Sequence, residues 1–439
     1  MKVLFVSLGC DKNLVDTEEM LGILSENGYS FTDDETEADI IVINSCCFIN
    51  DAKEESINTI LEMAECKKNH KCKALIVTGC LAQRYKDEIL KEIPEVDGVL
   101  GTANYDNVLE VIEKALRNEV SCEYFDLNKL PKLDKRILTT GGHYAHLKIA
   151  EGCDKYCTYC IIPKIRGKYR SYPIEELVSK AKELVEKGVK EIILVAQETT
   201  IYGLDLYGKK SLHVLLKELC KISGLHFIRI MYCYPEEIYD ELITTISEED
   251  KICNYLDIPI QHASDNVLKR MGRRTDKNRL IEVISELRNR IPDITLRTTL
   301  ISGFPGETEE DHEELLDFVD TIEFDRLGVF TYSAEEDTPA AIMKDQIDEE
   351  IKENRRDEIM ELQQEIAFDK SSDMIGKEML AIIDGKICNE NAYIGRTYMD
   401  APGIDGNIFI NTFEELMSGD IVKIKITGSY EYDLIGEII

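Results

Sequence analysis

The chain has 439 residues, room for about three domains. It carries 85 Asp and Glu against 52 Lys and Arg, a net charge of −33, and such a surface repels phosphate backbones and attracts a basic protein unless its cations are segregated. No stretch is apolar enough to span a bilayer, and the start is a poor signal peptide because its apolar run is short and ends in charge. A reducing cytoplasm is therefore expected, where the clustered ones among the 14 cysteines read as metal ligands rather than as disulfides.

Over residues 1–134 short apolar strands alternate with amphipathic helices. Strands are expected at 2–7, 39–44, 74–78 and 96–100. Helices are expected at 14–27, closed by Gly28, and at 51–64, where Ile57, Ile60, Leu61 and Ala64 recur at helical spacing. This alternation builds a doubly wound parallel sheet. Cys10, Cys46 and Cys80 each follow one of the first three strands, whose carboxyl ends share the edge of an open sheet where ligands bind. Topology alone thus brings three thiols to one rim as a candidate metal site; the plainer reading is thiols filling a core. Cys47 stands directly beside Cys46. Neighbouring side chains in extended backbone point to opposite sides, so one of the two faces the rim. Cys66, His70 and Cys72 lie at a charged helix end without a fourth ligand, which reads as a solvated turn. Cys122, Cys220, Cys233, Cys253 and Cys388 are scattered, and most are expected as core filler.

Residues 135–144, with Gly141 and Gly142, read as a linker into a second domain over 135–369. Strands are expected at 145–150, 191–196, 226–231, 255–260, 294–301 and 327–331, with helices between. Six such units build an open (βα)6 parallel barrel with its chemistry at the carboxyl ends. Just beyond the first of them Cys153, Cys157 and Cys160 stand in a C-x3-C-x2-C spacing. Extended, that stretch would span about 25 Å, and a coiled loop brings the thiolates together. They can hold three corners of an iron–sulfur cube and, with no fourth cysteine nearby, leave one iron open; zinc or unconnected thiols are the alternatives.

Polar groups crowd the other strand ends. They are Gln197 and Glu198, Tyr232 and Tyr234, Gln261 and His262, the 302–308 loop with Gly303 and Gly306, and Tyr332. Gln197, Glu198 and Gly303 are candidate cofactor contacts, and glycine lets backbone approach a ligand closely. Gln261, His262 and Tyr332 are further candidates. His262 reads at least as well as a hydrogen-bonded structural histidine as it does as a base. Thr308 with Asp311 resembles a helix cap. Arg166 and Arg170 lie in a basic loop that is either solvated or used in the site.

Ile347, Ile351, Ile359, Leu362 and Ile366 give a charged helix one apolar face, as expected of a spacer packed on the barrel. Residues 370–439 then read as short strands at 379–383, 392–398, 407–410, 420–427 and 432–439, a small antiparallel barrel of oligonucleotide-binding type. This tail has 6 Lys and Arg against 12 Asp and Glu, net −6, whereas an RNA-binding face is basic. RNA binding is not expected of it, unless through a confined patch at Lys423 and Lys425. Its acidic residues, Asp400 and Asp405 among them, are expected to meet a basic protein.

The cysteine loop at 153–160 resembles the radical S-adenosylmethionine (SAM) enzymes. Within them, Ser7-Leu8-Gly9-Cys10-Asp11-Lys12-Asn13-Leu14-Val15-Asp16 and the stretches 44–49, 78–85 and 162–171 resemble the methylthiotransferases. The resemblance covers essentially the whole chain, with the tail where that family carries a TRAM module; Cys47 stands where glycine is expected. It implies two 4Fe–4S clusters. One is at Cys153, Cys157 and Cys160, its open iron chelating SAM with Tyr159 near the adenine. The other is at Cys10, Cys46 and Cys80. It implies a role for Arg166 and Arg170 at the SAM carboxylate or the second domain's edge.

The stretches 231–235, 257–264 and 330–340 resemble the members that modify an aspartate of small-subunit ribosomal protein twelve. The implied reaction begins with reductive cleavage of SAM. The 5′-deoxyadenosyl radical then takes hydrogen from the aspartate β-carbon, and the second cluster presents a sulfur methylated by another SAM. An electron donor and a sulfur source are implied partners. The alternatives are tRNA adenosine methylthiolation on the same machinery and a non-catalytic iron–sulfur electron carrier. Carriers usually ligate every iron with protein, which two three-cysteine sites do not.

Overall fold

Runs of Val, Ile and Leu bounded by polar turns make the amino-terminal strands, as β-branched residues fit a pleated sheet buried on both faces. The computed structural model describes residues 1–124, 126–133 and 136–439, so the expected boundary at Asp134 and Lys135 lies outside the described residues. Strands β1 (Lys2–Ser7), β2 (Ser30–Phe31), β3 (Ile40–Ser45), β4 (Ala74–Gly79), β5 (Gly98–Leu100) and β6 (Ser121–Glu123) pair in parallel in the order β2-β1-β3-β4-β5-β6. Helices α1 (Asp11–Glu26) and α5 (Val108–Leu116) bury Met20, Leu24, Val108 and Ile112 on one face. Helices α2 (Asn50–Asn69), α3 (Cys80–Tyr85) and α4 (Asp87–Glu92) bury Ile60, Met63, Leu81 and Ile89 on the other. The sheet is therefore doubly wound. Cys66 and Cys72 do not lie in a solvated turn. Each is 7% exposed and fills the second of these cores, because α2 continues past residue 64 and turns Cys66 inward; of Cys66, His70 and Cys72 it is His70 that is exposed.

These elements belong to a compact unit made of Met1–Thr139, Ala150–Tyr172 and Ser333–Ile342. The chain leaves it for β7 (Tyr144–Lys148) and re-enters it for β8 (Ala150–Glu151), α6 (Ile162–Arg166) and β9 (Arg170–Ser171), with β8 and β9 antiparallel.

The second unit comprises Thr140–Ile149, Pro173–Tyr332 and Met343–Ile439. It continues with α7 (Ile174–Glu186), β10 (Glu191–Val195), α8 (Leu204–Tyr207), α9 (Leu212–Cys220), β11 (Phe227–Ile230), α10 (Asp240–Glu248) and β12 (Ile252–Asp257). Then follow α11 (Asp265–Arg270), α12 (Lys277–Arg290), β13 (Thr295–Ser302), α13 (Glu309–Ile322) and β14 (Arg326–Thr331). The six strands lie parallel in the order β14-β13-β12-β11-β10-β7, an open (βα)6 barrel. Thr308 and Asp311 form a reciprocal capping box on α13.

The spacer helix α14 (Glu349–Ser372) is less apolar at its interface than its periodicity suggests. Ile359 and Ile366 are buried, but Ile351 is 43% exposed and Lys352, Arg355 and Gln363 share the inner face. Arg355 is held there by Glu307 at 3.0 Å, and Gln363 by the Phe324 carbonyl at 2.9 Å. The tail closes as a barrel of β15 (Glu378–Lys386), β16 (Ala392–Arg396), β17 (Ile408–Asn411), β18 (Ile421–Tyr430) and β19 (Asp433–Ile438). Its one parallel pair, β17 with β19, departs from the antiparallel expectation because β18 intervenes in the chain.

Asp400 and Asp405 are not surface acids. Asp400 pairs with Arg326 at 2.7 Å; Asp405 accepts from the Tyr255 hydroxyl at 2.7 Å and lies 3.4 Å from Arg297. Beside them, buried Glu191 accepts from Arg229 at 2.9 Å and Arg396 at 2.7 Å. Among the described residues no helix is long and apolar enough to cross a membrane.

Candidate metal centre

The first triad stands where topology puts it. Strands β1, β3 and β4 are sheet neighbours, and Cys10, Cys46 and Cys80 follow their carboxyl ends. Gly9, at φ +88°, brings the first loop against the second; a Cβ there would lie 2.9 Å from Cys46 Sγ. Ser56 bonds both the amide and the carbonyl of Cys46, at 2.9 and 2.8 Å. Cys10 is exposed, while Cys46 and Cys80 are buried. Burial pushes the Cys46 and Cys80 thiols up, and the nearby Arg166 guanidinium opposes this. Cys47 is 0% exposed within the apolar core, and burial pushes its thiol up to about 12.

Asn13, in the first turn of α1, ties these loops together. Its Nδ2 donates to the Leu8 and Ser45 carbonyls at 3.0 and 3.1 Å. Its own carbonyl accepts from Asn44 Nδ2 at 2.7 Å.

The second triad lies on the loop between β8 and α6. Cys153 N–H donates to Gly167 at 3.1 Å, and Cys160 N–H to Cys157 at 3.0 Å. Cys153 and Cys157 are buried; Cys160 and Tyr159 are half-buried. Ile161 and Ile165 enter the same core as Leu81 and Cys80, so this loop groups with the amino-terminal sheet. Arg166, 2% exposed, makes the polar link. Its Nη1 lies 3.2 Å from Glu151 and 3.1 Å from Asp16, and its Nη2 lies 2.5 Å from Asn13 Oδ1 and 3.8 Å from Cys80 Sγ. Burial disfavours the guanidinium charge, but Glu151 and Asp16 outweigh it. Arg166 is thus not part of a solvated loop. Arg170 donates to the carbonyls of Arg166, at 3.2 Å, and Lys168. Arg84, four residues beyond Cys80, forms a buried 3.0 Å pair with Glu335 and holds the 333–342 segment.

Among the described residues no three His, Cys, Asp or Glu side chains converge as they stand into metal-ligating geometry. The donor chemistry nevertheless fits iron–sulfur clusters, with three thiols per site and a fixed cation beside one sulfur. A bound metal deprotonates coordinating thiols outright and so overrides the effect of burial.

In the second unit the remaining candidates sit at carboxyl ends of barrel strands. Gln197 and Glu198 follow β10; Gln261 and His262 follow β12; Gly303 follows β13; Tyr332 follows β14. Glu198 accepts from the Thr200 amide at 3.0 Å. Gln197 Oε1 is buried without a hydrogen-bond partner among the described residues, which suits a donor supplied by a ligand. Tyr232 and Gln261 hold left-handed backbone, φ +59° and +71°, a strain of about 1–3 kcal/mol each that concentrates at functional sites. His262 accepts from the Ser264 amide at 3.0 Å, and burial pushes it down to about 3, so it is neutral and structural. Gly303 has φ +69°, and a Cβ there would lie 2.2 Å from Lys352 Cγ. The close approach this glycine allows is that of α14. Tyr332 packs edge-on to Phe304 at 5.2 Å, and its carbonyl accepts from Lys352 Nζ at 3.0 Å.

Asn13, Asp16 and Glu151 were not singled out from the sequence. Asn13 and Asp16 lie on a buried helix face and Glu151 ends a two-residue strand, so there is no apolar period to read, and only their nearness to Cys10 and Cys153 in the chain marks them.

Three family models match the chain in series: uncharacterized protein family UPF0004 at residues 2–101, the radical SAM superfamily at 147–319 and the TRAM domain at 375–439. A ribosomal protein uS12 methylthiotransferase RimO of Lachnoclostridium phytofermentans is 63% identical over 437 residues, covering 99% of both chains. The enzyme of that name from Clostridium perfringens is 54% identical over 441 residues, covering 100% of this chain and 98% of the relative. The radical SAM methyltransferase TsrM of Kitasatospora setae, solved with cobalamin and a [4Fe-4S] cluster, superposes with a TM-score of 0.57 over 78% of this chain and 77% of that one. At 13% identity it shares the fold alone.

Proposed function

The chain belongs to the ribosomal protein uS12 methylthiotransferase (RimO) family, and on that premise we propose that it places a methylthio group on the β-carbon of an aspartate of uS12. The observation that carries this reading is full-length identity of 63% to a relative of that name. An unactivated C–H bond calls for a radical cofactor that the protein orients and shields, rather than an acid–base pair. His262, neutral and enclosed, is consistent with that.

Cys153, Cys157 and Cys160 would hold a 4Fe–4S cluster with one iron left for SAM, and Cys10, Cys46 and Cys80 a second. Such a cluster supplies, when bound, the electron for reductive cleavage of SAM. The chain's own residues hold the pieces. Asn13 and Ser56 fix the loops of the first triad, and Gly167 fixes that of the second. Tyr159 offers a half-buried ring for the adenine. Gln197 offers a buried acceptor to a cofactor donor, and Glu198 is anchored beside it.

The tail's solvent face supports a basic protein partner. Asp373, Glu378, Glu390, Glu414, Glu415, Glu431 and Glu437 are exposed against Lys377, Lys386, Lys423 and Lys425. Lys423 is itself paired with Glu378 at 2.7 Å, which weakens the one candidate patch for RNA. A uS12 substrate implies work in the cytoplasm, with an electron donor and a sulfur source as partners. The test is incubation of reconstituted protein with SAM, dithionite, sulfide as the sulfur source, and uS12. Methylthiolated aspartate is expected; absence of 5′-deoxyadenosine would favour an electron carrier, and modification of tRNA adenosine instead would favour the tRNA enzymes.

A further inference from the structure

We propose that Asn13 and Arg166 form a positioning pair. Together they hold the Cys10, Cys46 and Cys80 loops against the Cys153–Cys160 loop, and the Arg166 charge sets the reduction potential of the cluster at the first triad. The inference rests on the two-cluster reading above.

Asn13 is 0% exposed, and its carboxamide is fully used. The two Nδ2 donors take the Leu8 and Ser45 carbonyls, the first two residues before Cys10 and the second next to Cys46. The Oδ1 acceptor takes Arg166 at 2.5 Å and faces Cys80 Sγ at 3.8 Å. One short side chain therefore touches all three cysteine-bearing loops and the carrier of the other triad. Two donors and one acceptor on so short a stem are what asparagine supplies. Aspartate would set oxygen against two carbonyls.

Arg166 completes the link. Were it only a core ion pair, Glu151 and Asp16 would account for it. Its Nη2, however, reaches Cys80 Sγ at 3.8 Å. Cluster potentials respond to net charge and to hydrogen bonds on the ligating sulfurs, and partners one step out from a metal tune it. Reduction adds one negative charge to the cluster. A cation fixed beside a ligating sulfur stabilises the reduced form, so its removal drives the potential negative.

The test isolates the first-triad cluster in the variant Cys153→Ala/Cys157→Ala/Cys160→Ala, anaerobically reconstituted and titrated with dithionite under electron paramagnetic resonance. In that background Arg166→Gln is expected to lower the reduced-to-oxidised ratio at a fixed potential about tenfold, equivalent to about 59 mV for one electron. Arg166→Lys, which keeps the charge, is expected to stay close to the parent. Arg166→Gln takes the guanidinium away from two buried carboxylates. The double variant Glu151→Gln/Arg166→Gln, measured against Glu151→Gln alone, therefore carries the same direction of shift if the single one does not fold. Asn13→Ala is expected to weaken iron retention about tenfold, the lower end of the usual loss for such supporting groups. An unmoved potential in a folded, iron-replete Arg166→Gln or double variant overturns the charge role, and full iron retention by Asn13→Ala overturns the pair. A parent triple variant that binds no iron instead overturns the two-cluster reading on which the proposal stands.

Discussion

Glu191→Gln should loosen the tail barrel from the six-stranded barrel within the second unit. Glu191 is fully buried between two guanidiniums, with Arg229 Nε on one oxygen at 2.9 Å and Arg396 Nη1 on the other at 2.7 Å. Glutamine keeps one acceptor but turns an amide N–H toward the other guanidinium, donor against donor. Burial opposes the Glu191 charge, yet the two arginines outweigh it and hold the carboxyl below its usual range. Breaking one side of a buried pair costs about 3–5 kcal/mol because the surviving charge is left uncompensated. Arg396 keeps Asp384 at 2.8 Å and Arg229 keeps the Tyr398 carbonyl at 2.6 Å, which favours the lower half of that range. Taking about 3.5 kcal/mol and a urea slope of about 3 kcal/mol/M, the unfolding midpoint falls by roughly 1.2 M. Hydrogen exchange at β16 against urea reads this transition separately from the first unit. A midpoint shift under about 0.3 M, near 1 kcal/mol on the same slope, would refute the claim that this network anchors the tail.

Replacing Cys153, Cys157 and Cys160 by Ala should leave about half the iron and abolish SAM cleavage, whereas replacing Cys10, Cys46 and Cys80 should halve the iron and spare cleavage; iron analysis with 5′-deoxyadenosine chromatography checks both. Cys47→Gly should keep full iron while Cys46→Ala loses it, because Cys47 is enclosed in the apolar core; the reverse ranking would exchange their roles. Glu414→Lys with Glu415→Lys, both exposed on the tail, should slow uS12 modification through the on-rate and leave SAM cleavage without uS12 unchanged. His262, pushed down to about 3 by burial from an ordinary 6.5, takes its proton in the unfolded chain first. Its contribution is full above about pH 6.5 and falls by about 1.4 kcal/mol per pH unit toward pH 3; His262→Asn should flatten the urea midpoint over that window, and an unchanged slope would contradict its burial as neutral imidazole.

Much of this was readable from the chain because the signals were local or topological. Cys10, Cys46 and Cys80 follow apolar runs, and parallel strands put such positions on one edge. The barrel strands and the capping box of Thr308 and Asp311 were equally plain. Strands β2 and β6 were not, being two and three residues long, too short for a pattern. The buried charges were missed for a different reason. Asp400, Asp405 and Glu191 look like surface acids until their arginines are placed, and those partners lie far away in sequence. Arg166 and Asn13 are 153 positions apart, so nothing local joins them. Gly303 shows that a permissive backbone position can be recognised while a group packed against it, here Lys352 of α14, stays hidden until the fold is known.

The most direct measurement is mass spectrometry of ribosomal proteins and tRNA from cells lacking this chain, beside cells in which it is restored. The account predicts that uS12 loses the methylthio group from one aspartate and regains it on restoration, with tRNA unaltered. An unchanged uS12 together with a tRNA adenosine that loses its methylthio group would contradict it.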